Sequence, residues 1–309
     1  MSLPPFPATG LPVKFGADEN RVGHDGGLPQ LQVALPVLAG AEGDPLLDGV
    51  ERTEAAGAWT LLRRDDRLAG FAVAPAGQPL EAAAAGLYAQ LFAATRGWHL
   101  GRIWNYVPEI NRDTAGLENY RHFCRGRSLA FEREFGAGFA RSLPAASAVG
   151  TGPGRLAVAF LAVPGPVGHH ENPRQVPAFE YPRQYGPRPP AFARATVIEE
   201  DGARTVFVSG TAAIRGHATV APGDLSAQLA CTLENLAAIA AAAGAGAGTG
   251  AGWARSFRVF LRRSADYPAV ARALGRELLT PDDKVQYLRA DICRGALLVE
   301  IEAQLTRRA

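Results

Sequence analysis

A chain of 309 residues, 47% apolar and 20% charged, can bury a large core as one big domain or two ordinary ones. Its 32 basic and 30 acidic residues leave a formal charge of +2, too little to point to nucleic acid. Apolar runs fall short of a bilayer span, and the Pro-rich residues 1–10 lack the basic start and apolar core of a signal peptide. The expectation is a cytoplasmic protein with neither a membrane nor a nucleic-acid partner.

In chain order, residues 67–73 read as a strand, 79–95 as an alanine-rich helix carrying Leu80, Leu87 and Leu91, and 99–107 as a strand. Residues 117–135 read as a helix and 156–163 as a strand. The stretch 164–190 is dense in Pro, Arg and Tyr and reads as a long loop, of the length used for lids or linkers. Strands follow at 193–198 and 205–209, joined by the hairpin signal Asp201-Gly202. Asp224 is a plausible N-cap for a helix over 225–243, with Leu229, Leu233, Leu236 and Ile239 at helical spacing. Low-complexity residues 237–252 include a Gly-Ala repeat at 244–248 without a Gly-Lys-Ser/Thr ending, so a flexible connection is expected rather than a phosphate loop.

A strand at 257–261, a helix at 267–279 and a terminal hairpin of 285–293 with 297–303 complete a ββαβαββ order. The first half follows the same theme. The expected fold class is therefore α+β: halves at 1–163 and 191–309, joined by 164–190, each a sheet with two helices on one face.

In the last strand Leu297, Val299, Ile301 and Ala303 share one face, and Glu300 and Glu302 the other. The hairpin places the Cys293 thiol and a carboxylate on neighbouring strands. A carboxylate inside a sheet is costly to ionise and becomes a general acid at neutral pH. On the strand pattern alone, a solvated face for both glutamates is the simpler expectation.

Cys124, Cys231 and Cys293 have neither disulfide-framework nor zinc spacing, and each is expected as a small buried residue. The adjacent His169, His170 and Glu171 cannot easily converge on one ion, so no metal is expected. No nucleophile elbow or dinucleotide fingerprint occurs. Arg121 and Arg125 lie four apart on one helix, suited to gripping a carboxylate or phosphate together. Tyr181, Tyr185 and Arg188 in the loop, and Arg262 after the 257–261 strand, add donors. Together they suit a small, dianionic, oxygen-rich ligand.

Four segments carry a family resemblance: Ile103-Trp104-Asn105-Tyr106-Val107-Pro108-Glu109-Ile110-Asn111, residues 116–127 (Gly-Leu-Glu-Asn-Tyr-Arg-His-Phe-Cys-Arg-Gly-Arg), Val208-Ser209-Gly210-Thr211-Ala212-Ala213-Ile214-Arg215-Gly216-His217, and the run from Asp291-Ile292-Cys293-Arg294 to Glu302. They resemble the chorismatases, and the likeness extends from about Leu68 to the end. It implies a RidA-like (YjgF-like) fold in which two halves of one chain mimic the subunit packing of the RidA trimer. Such a chain has less need to trimerise, so a monomer is expected, with a trimer as the alternative. It also implies chorismate as substrate and no cofactor.

By the resemblance, Glu300 protonates the enolpyruvyl methylene, an oxygen nucleophile adds, and pyruvate departs. A cysteine at position 293 marks the members that make 3-hydroxybenzoate, some with 4-hydroxybenzoate; an apolar residue there marks the hydrolytic members, which make a dihydroxycyclohexadiene carboxylate. Gly210, Thr211 and Ala213 lie in a turn where the family varies a small pocket-wall residue. RidA-type imine deaminases share the pattern around Glu300 but carry an arginine where this chain has Val285. A non-catalytic binding protein of the same fold is the remaining alternative.

Overall fold

Two seven-stranded sheets stand face to face in the computed structural model, which describes residues 12–308 apart from 45, 48, 65, 201 and 247–251. The Pro-rich start up to residue 10, Asp201 of the hairpin turn and most of the Gly/Ala-rich connection lie outside the described residues. The strands of the two sheets are β1 (Val37–Ala39), β2 (Arg52–Ala56), β3 (Trp59–Arg64), β4 (Arg67–Val73), β5 (His99–Pro108), β6 (Ala145–Thr151), β7 (Ala157–Val163), β8 (Val167–His170), β9 (Ala195–Glu200), β10 (Ala203–Ala212), β11 (Ala254–Leu261), β12 (Lys284–Arg289), β13 (Asp291–Ile292) and β14 (Val299–Arg308). Four helices accompany them: α1 (Leu80–Ala94), α2 (Asn119–Phe135), α3 (Leu225–Ala242) and α4 (Tyr267–Glu277).

The first sheet runs β13-β6-β5-β7-β4-β3-β2 and the second β8-β9-β10-β14-β11-β12-β1. Remove the outermost strands and the two orders coincide, β6-β5-β7-β4-β3 against β12-β11-β14-β10-β9. In both, the pair joined through a helix is parallel: β5 with β6 and β11 with β12. The internal repeat is thus a repeat of topology, with two α+β halves of matching strand order in one chain. The halves also exchange edges. β1 from the first half pairs with β12, and β13 from the second pairs with β6.

The helices cover the outer faces. α1 buries Leu87, Tyr88 and Leu91, and α2 buries Phe123 and Phe131 against the first sheet. Gly126 permits that packing, because a β-carbon there would overlap the Glu81 carbonyl and lie 3.0 Å from Ala84 Cβ. α3 begins where the Asp224 carboxylate accepts the Ala227 N–H at 3.0 Å. Its composition is apolar enough for a bilayer span, which exceeds the sequence expectation, but it packs Leu229, Leu236 and Ile239 on the second sheet as a core helix. The inner faces meet through Trp104, Tyr106 and Leu161 on one side and Phe207, Phe260 and Leu288 on the other. Val13, Phe15, Leu31 and Val33, from a small N-terminal sheet, enter the same cluster. This third layer has no counterpart in the sequence reading.

The expected terminal hairpin does not form. β12 pairs parallel with β11, and β14 lies between β10 and β11. The 285–293 run breaks at Ala290, whose N–H bonds to the Leu261 carbonyl, after which β13 crosses to the other sheet. Nor is 164–190 wholly a loop: β8 pairs with β9, and short 3-10 turns follow at Ala178–Glu180 and Arg183–Tyr185. In the first half, β3 and β6 complete a set that the sequence reading left short. The helix read from 117 starts at Asn119, because Leu117–Glu118 pairs with Asp113–Thr114.

Candidate active site

Both faces of β14 are interior, one under α3 and α4 and the other against the first sheet. Its alternation therefore separates two kinds of buried residue, and the solvated-face expectation fails: Glu300 is 3% exposed and Glu302 5%. Glu300 sits opposite Ala212 of β10 and Phe260 of β11. Its Oε1 has no hydrogen-bond partner among the described residues. Burial, reinforced by the Glu302 charge and opposed by Arg102 and Arg194, pushes its carboxyl up to about 8. At neutral pH the group carries its proton.

Space for this carboxyl comes from β10, which shifts register between Val208 and Thr211. In that irregularity Ser209 Oγ donates to the Ala193 carbonyl at 2.6 Å and accepts the Ala146 N–H at 2.8 Å. Next to it, a β-carbon on Gly210 would overlap Glu300 Oε1 and lie 2.7 Å from its Cδ. Only glycine leaves the acid where it is.

Glu300 and Gly210 line a cavity of about 310 Å³, together with Tyr120, Arg121, Tyr181, Tyr185, Arg194, Cys293 and Arg294. That volume is at the small end for ligand pockets. Burial and the nearby Glu300 push the Cys293 thiol up to about 12, so it is a thiol and not a thiolate at neutral pH. Arg294 donates through Nη1 to the His217 carbonyl at 2.8 Å and to Thr219 Oγ1 at 3.2 Å, while its Nη2 has no hydrogen-bond partner among the described residues. The same guanidinium lies over the Tyr185 ring, 4.0 Å from its centroid. Arg194 is 4% exposed; it donates through Nη2 to Tyr181 Oη at 2.7 Å, and its Nε is ion-paired with Glu171 Oε2 at 4.0 Å. One buried and one half-buried guanidinium group beside a protonated carboxyl make a site for an acid-labile anion.

Beneath the cavity, Glu302 is enclosed by donors. Arg102 Nη2 reaches its Oε2 at 2.6 Å and Arg258 Nη1 its Oε1 at 2.8 Å. Trp104 Nε1 donates to Oε1 at 3.0 Å and Ser147 Oγ to Oε2 at 2.5 Å. Arg258 continues to Asp44 and, at 2.6 Å, to Gln286.

Among the residues expected from sequence, the structure brings Glu300, Cys293, Arg121, Tyr181, Tyr185 and Gly210 to one cavity. Arg125 and Arg188 do not line it: they turn outward to Glu81 at 3.2 Å and Glu132 at 3.0 Å. Arg121 and Arg125 share a helix, but only the first faces the cavity. Ala213 and Thr211 alternate away from the wall formed by Gly210, Ala212 and Ile214; Thr211 Oγ1 donates to the Ser209 carbonyl and Ala213 packs in an apolar cluster. Arg262 is likewise absent from the wall, its donors being consumed by protein acceptors. It bonds Asn111 Oδ1 at 3.1 Å, Asp291 Oδ1 at 2.9 Å and the carbonyls of Ile292, Arg294 and Leu297, and so clamps the segment that carries Cys293. Arg194, Ser147 and the wall position of Arg294 were missed. Arg294 lay beside Cys293 in a motif already singled out; Arg194 and Ser147 sit in apolar surroundings with no local signal. Of the His169-His170-Glu171 run, His169 Nδ1 lies 3.2 Å from Thr196 Oγ1, while Glu171 reaches the cavity-wall Arg194, accepting its backbone N–H at 3.3 Å and lying 4.0 Å from its Nε. The described residues hold no cluster of three metal-ligating side chains.

Comparison with known proteins agrees with this geometry. The family model described as chorismatase FkbO/Hyg5-like, N-terminal, matches residues 48–162. A chorismatase of Streptomyces rapamycinicus is 40% identical over 257 residues, covering 79% of this chain and 75% of that one. A 3-hydroxybenzoate synthase of Streptomyces hygroscopicus is 44% identical over 215 residues; the match covers 65% of this chain and 62% of that relative's length. A chorismatase crystal structure superposes with a TM-score of 0.80 at 31% identity, covering 95% of this chain and 91% of the other. The chain belongs to the chorismatase family.

Proposed function

We propose that this protein converts chorismate to pyruvate and a hydroxybenzoate, with 3-hydroxybenzoate as the main product. The observation that carries this reading is the protonated Glu300 carboxyl, its Oε1 without a hydrogen-bond partner among the described residues, in the wall of a small cavity that Arg194 and Arg294 also line. Arg294 and Arg194 take the two carboxylates of the substrate, and Tyr181 and Tyr185 hold those arginines in place. Glu300 donates its proton to the enolpyruvyl methylene carbon, leaving an oxocarbenium-like centre on the adjacent carbon. An oxygen nucleophile adds there and returns a proton to the Glu300 carboxylate. Collapse of the adduct breaks the ether and releases pyruvate.

Aromatisation then requires a ring hydroxyl to leave with a ring proton. The Cys293 thiol serves this step as a proton donor to the departing oxygen, which leaves as water, and the thiolate so formed takes the ring proton and is restored to the thiol. A neutral thiol beside the acid is suited to donating, and the similarity to a relative named 3-hydroxybenzoate synthase supports the aromatic product. The two products together have the composition of chorismate, so no cofactor is consumed. The chain acts as a monomer in this reading, since the N-terminal strands already pack against the core between the two sheets.

The test is incubation with chorismate, with pyruvate read by lactate dehydrogenase and the ring product identified by chromatography. Pyruvate with 3-hydroxybenzoate is expected. Pyruvate with a diene diol would overturn the product assignment, and no pyruvate above the spontaneous rate would overturn the activity.

A further inference from the structure

Glu300 and Glu302 are neighbours on one face of β14, about 7 Å apart along the strand, yet they are treated in opposite ways. Glu302 accepts from Arg102, Arg258, Trp104 and Ser147, whereas Glu300 Oε1 accepts from none of the described residues. Ser147 ties the two together. Its Oγ donates to Glu302 and accepts the Gly210 N–H at 2.9 Å, and Gly210 is the residue against which the Glu300 carboxyl rests. We propose that Glu302 is a positioning residue: a carboxylate locked beneath the cavity floor that keeps Glu300 in its neutral, proton-donating form.

The physical reason is like-charge repulsion. Two carboxylates on one buried face cannot both be ionised cheaply, so the one with donors takes the charge and the other keeps its proton. Arg102 and Arg258 neutralise Glu302 only in part with respect to Glu300, because Arg258 is shared with Asp44. The other charged groups acting on Glu300 are Arg102 and Arg194; Cys293, Arg294, Tyr181, Tyr185 and, from the start of α2, Glu118, Tyr120 and Arg121 share its cavity. The inference rests on the proposed acid role of Glu300.

Two variants with opposite charge effects test it in the full-length protein, through the pH profile of kcat/KM with chorismate. Glu302→Gln removes the negative neighbour and should move the alkaline limb down by at least about one pH unit. Activity then falls roughly tenfold near pH 8 and stays within about threefold of wild type near pH 6. Arg102→Gln withdraws a positive neighbour of Glu300 and should move the limb up. A structural defect lowers activity at every pH and leaves both limbs in place, and that result overturns the inference. Isotope-edited infrared titration of the Glu300 carboxyl in the same proteins needs no substrate. If the carboxyl titrates at lower pH in Glu302→Gln, the inference stands even where chorismate is not turned over; an unmoved titration overturns it.

Discussion

Gly210 and Glu300 are in direct contact, the glycine Cα standing where any side chain would displace the carboxyl: an added β-carbon would lie 2.7 Å from Glu300 Cδ. Two interior strands, one with a register shift, create the clearance for an acid whose Oε1 has no hydrogen-bond partner among the described residues. Gly210→Ala should therefore fold and yet lose kcat by about 10²-fold or more, the range for a misplaced general acid. Pyruvate release and circular dichroism, measured on the same sample, check this. Wild-type rates in a folded Gly210→Ala protein would contradict it.

Burial of Glu300 also predicts a cost in stability. Its carboxyl rises from 4.5 to about 8 on folding, so the native state holds a proton that the unfolded chain releases above about pH 4.5. The contribution is intact below that value and is lost as pH rises toward 8, by at most about 1.4 kcal/mol per pH unit. Glu300→Gln, which cannot ionise, should be more stable than wild type by a margin that grows across this window. Urea unfolding at pH 5 and pH 8 measures the margin; one that is constant or shrinking would contradict the assigned burial.

Cys293 is expected to govern the ring and not the ether. Cys293→Ala should keep pyruvate release within about tenfold while the product shifts from 3-hydroxybenzoate to the diene diol. Because burial holds the thiol near 12, iodoacetamide should label it slowly at neutral pH, far below the rate for an exposed cysteine. Chromatography of the variant's product and mass spectrometry of the labelled protein are the readouts. An unchanged product would remove Cys293 from the chemistry.

The arginines divide by what they touch. Changing Arg294, which lines the cavity, to Ala should raise KM at least about tenfold, the loss of a charge-assisted hydrogen bond. Arg125, 48% exposed and paired with Glu81, should change KM by less than about twofold, as a surface ion pair would. Steady-state kinetics of the two variants side by side decide whether the cavity or the helix face binds the substrate.

Much of the fold was legible because local patterns survive tertiary packing. The α3 cap at Asp224, the strand at 67–73 and the two faces of β14 all follow from short-range periodicity. The terminal hairpin was misread because proximity in sequence suggests antiparallel pairing, whereas β12 finds β11 through the intervening helix α4. The misplacement of Arg262 has a related origin. Its position after a strand suggested a free donor, but only the fold brings Asn111, Asp291 and three carbonyls around it. The solvated-face expectation for Glu300 and Glu302 failed because the polar face of one sheet is covered by the second sheet, and residues 200 apart, Arg102 and Glu302, supply each other's charge. No window of sequence contains that pairing.

The central claim is that the Glu300 proton breaks the enolpyruvyl ether. Its most direct measurement is pyruvate release from chorismate by purified Glu300→Gln beside wild type at pH 7, with folding verified for both. The account predicts a folded variant whose rate falls by ~10²–10⁴ or more, toward the spontaneous background. A folded Glu300→Gln protein that releases pyruvate within a few-fold of wild type would contradict it.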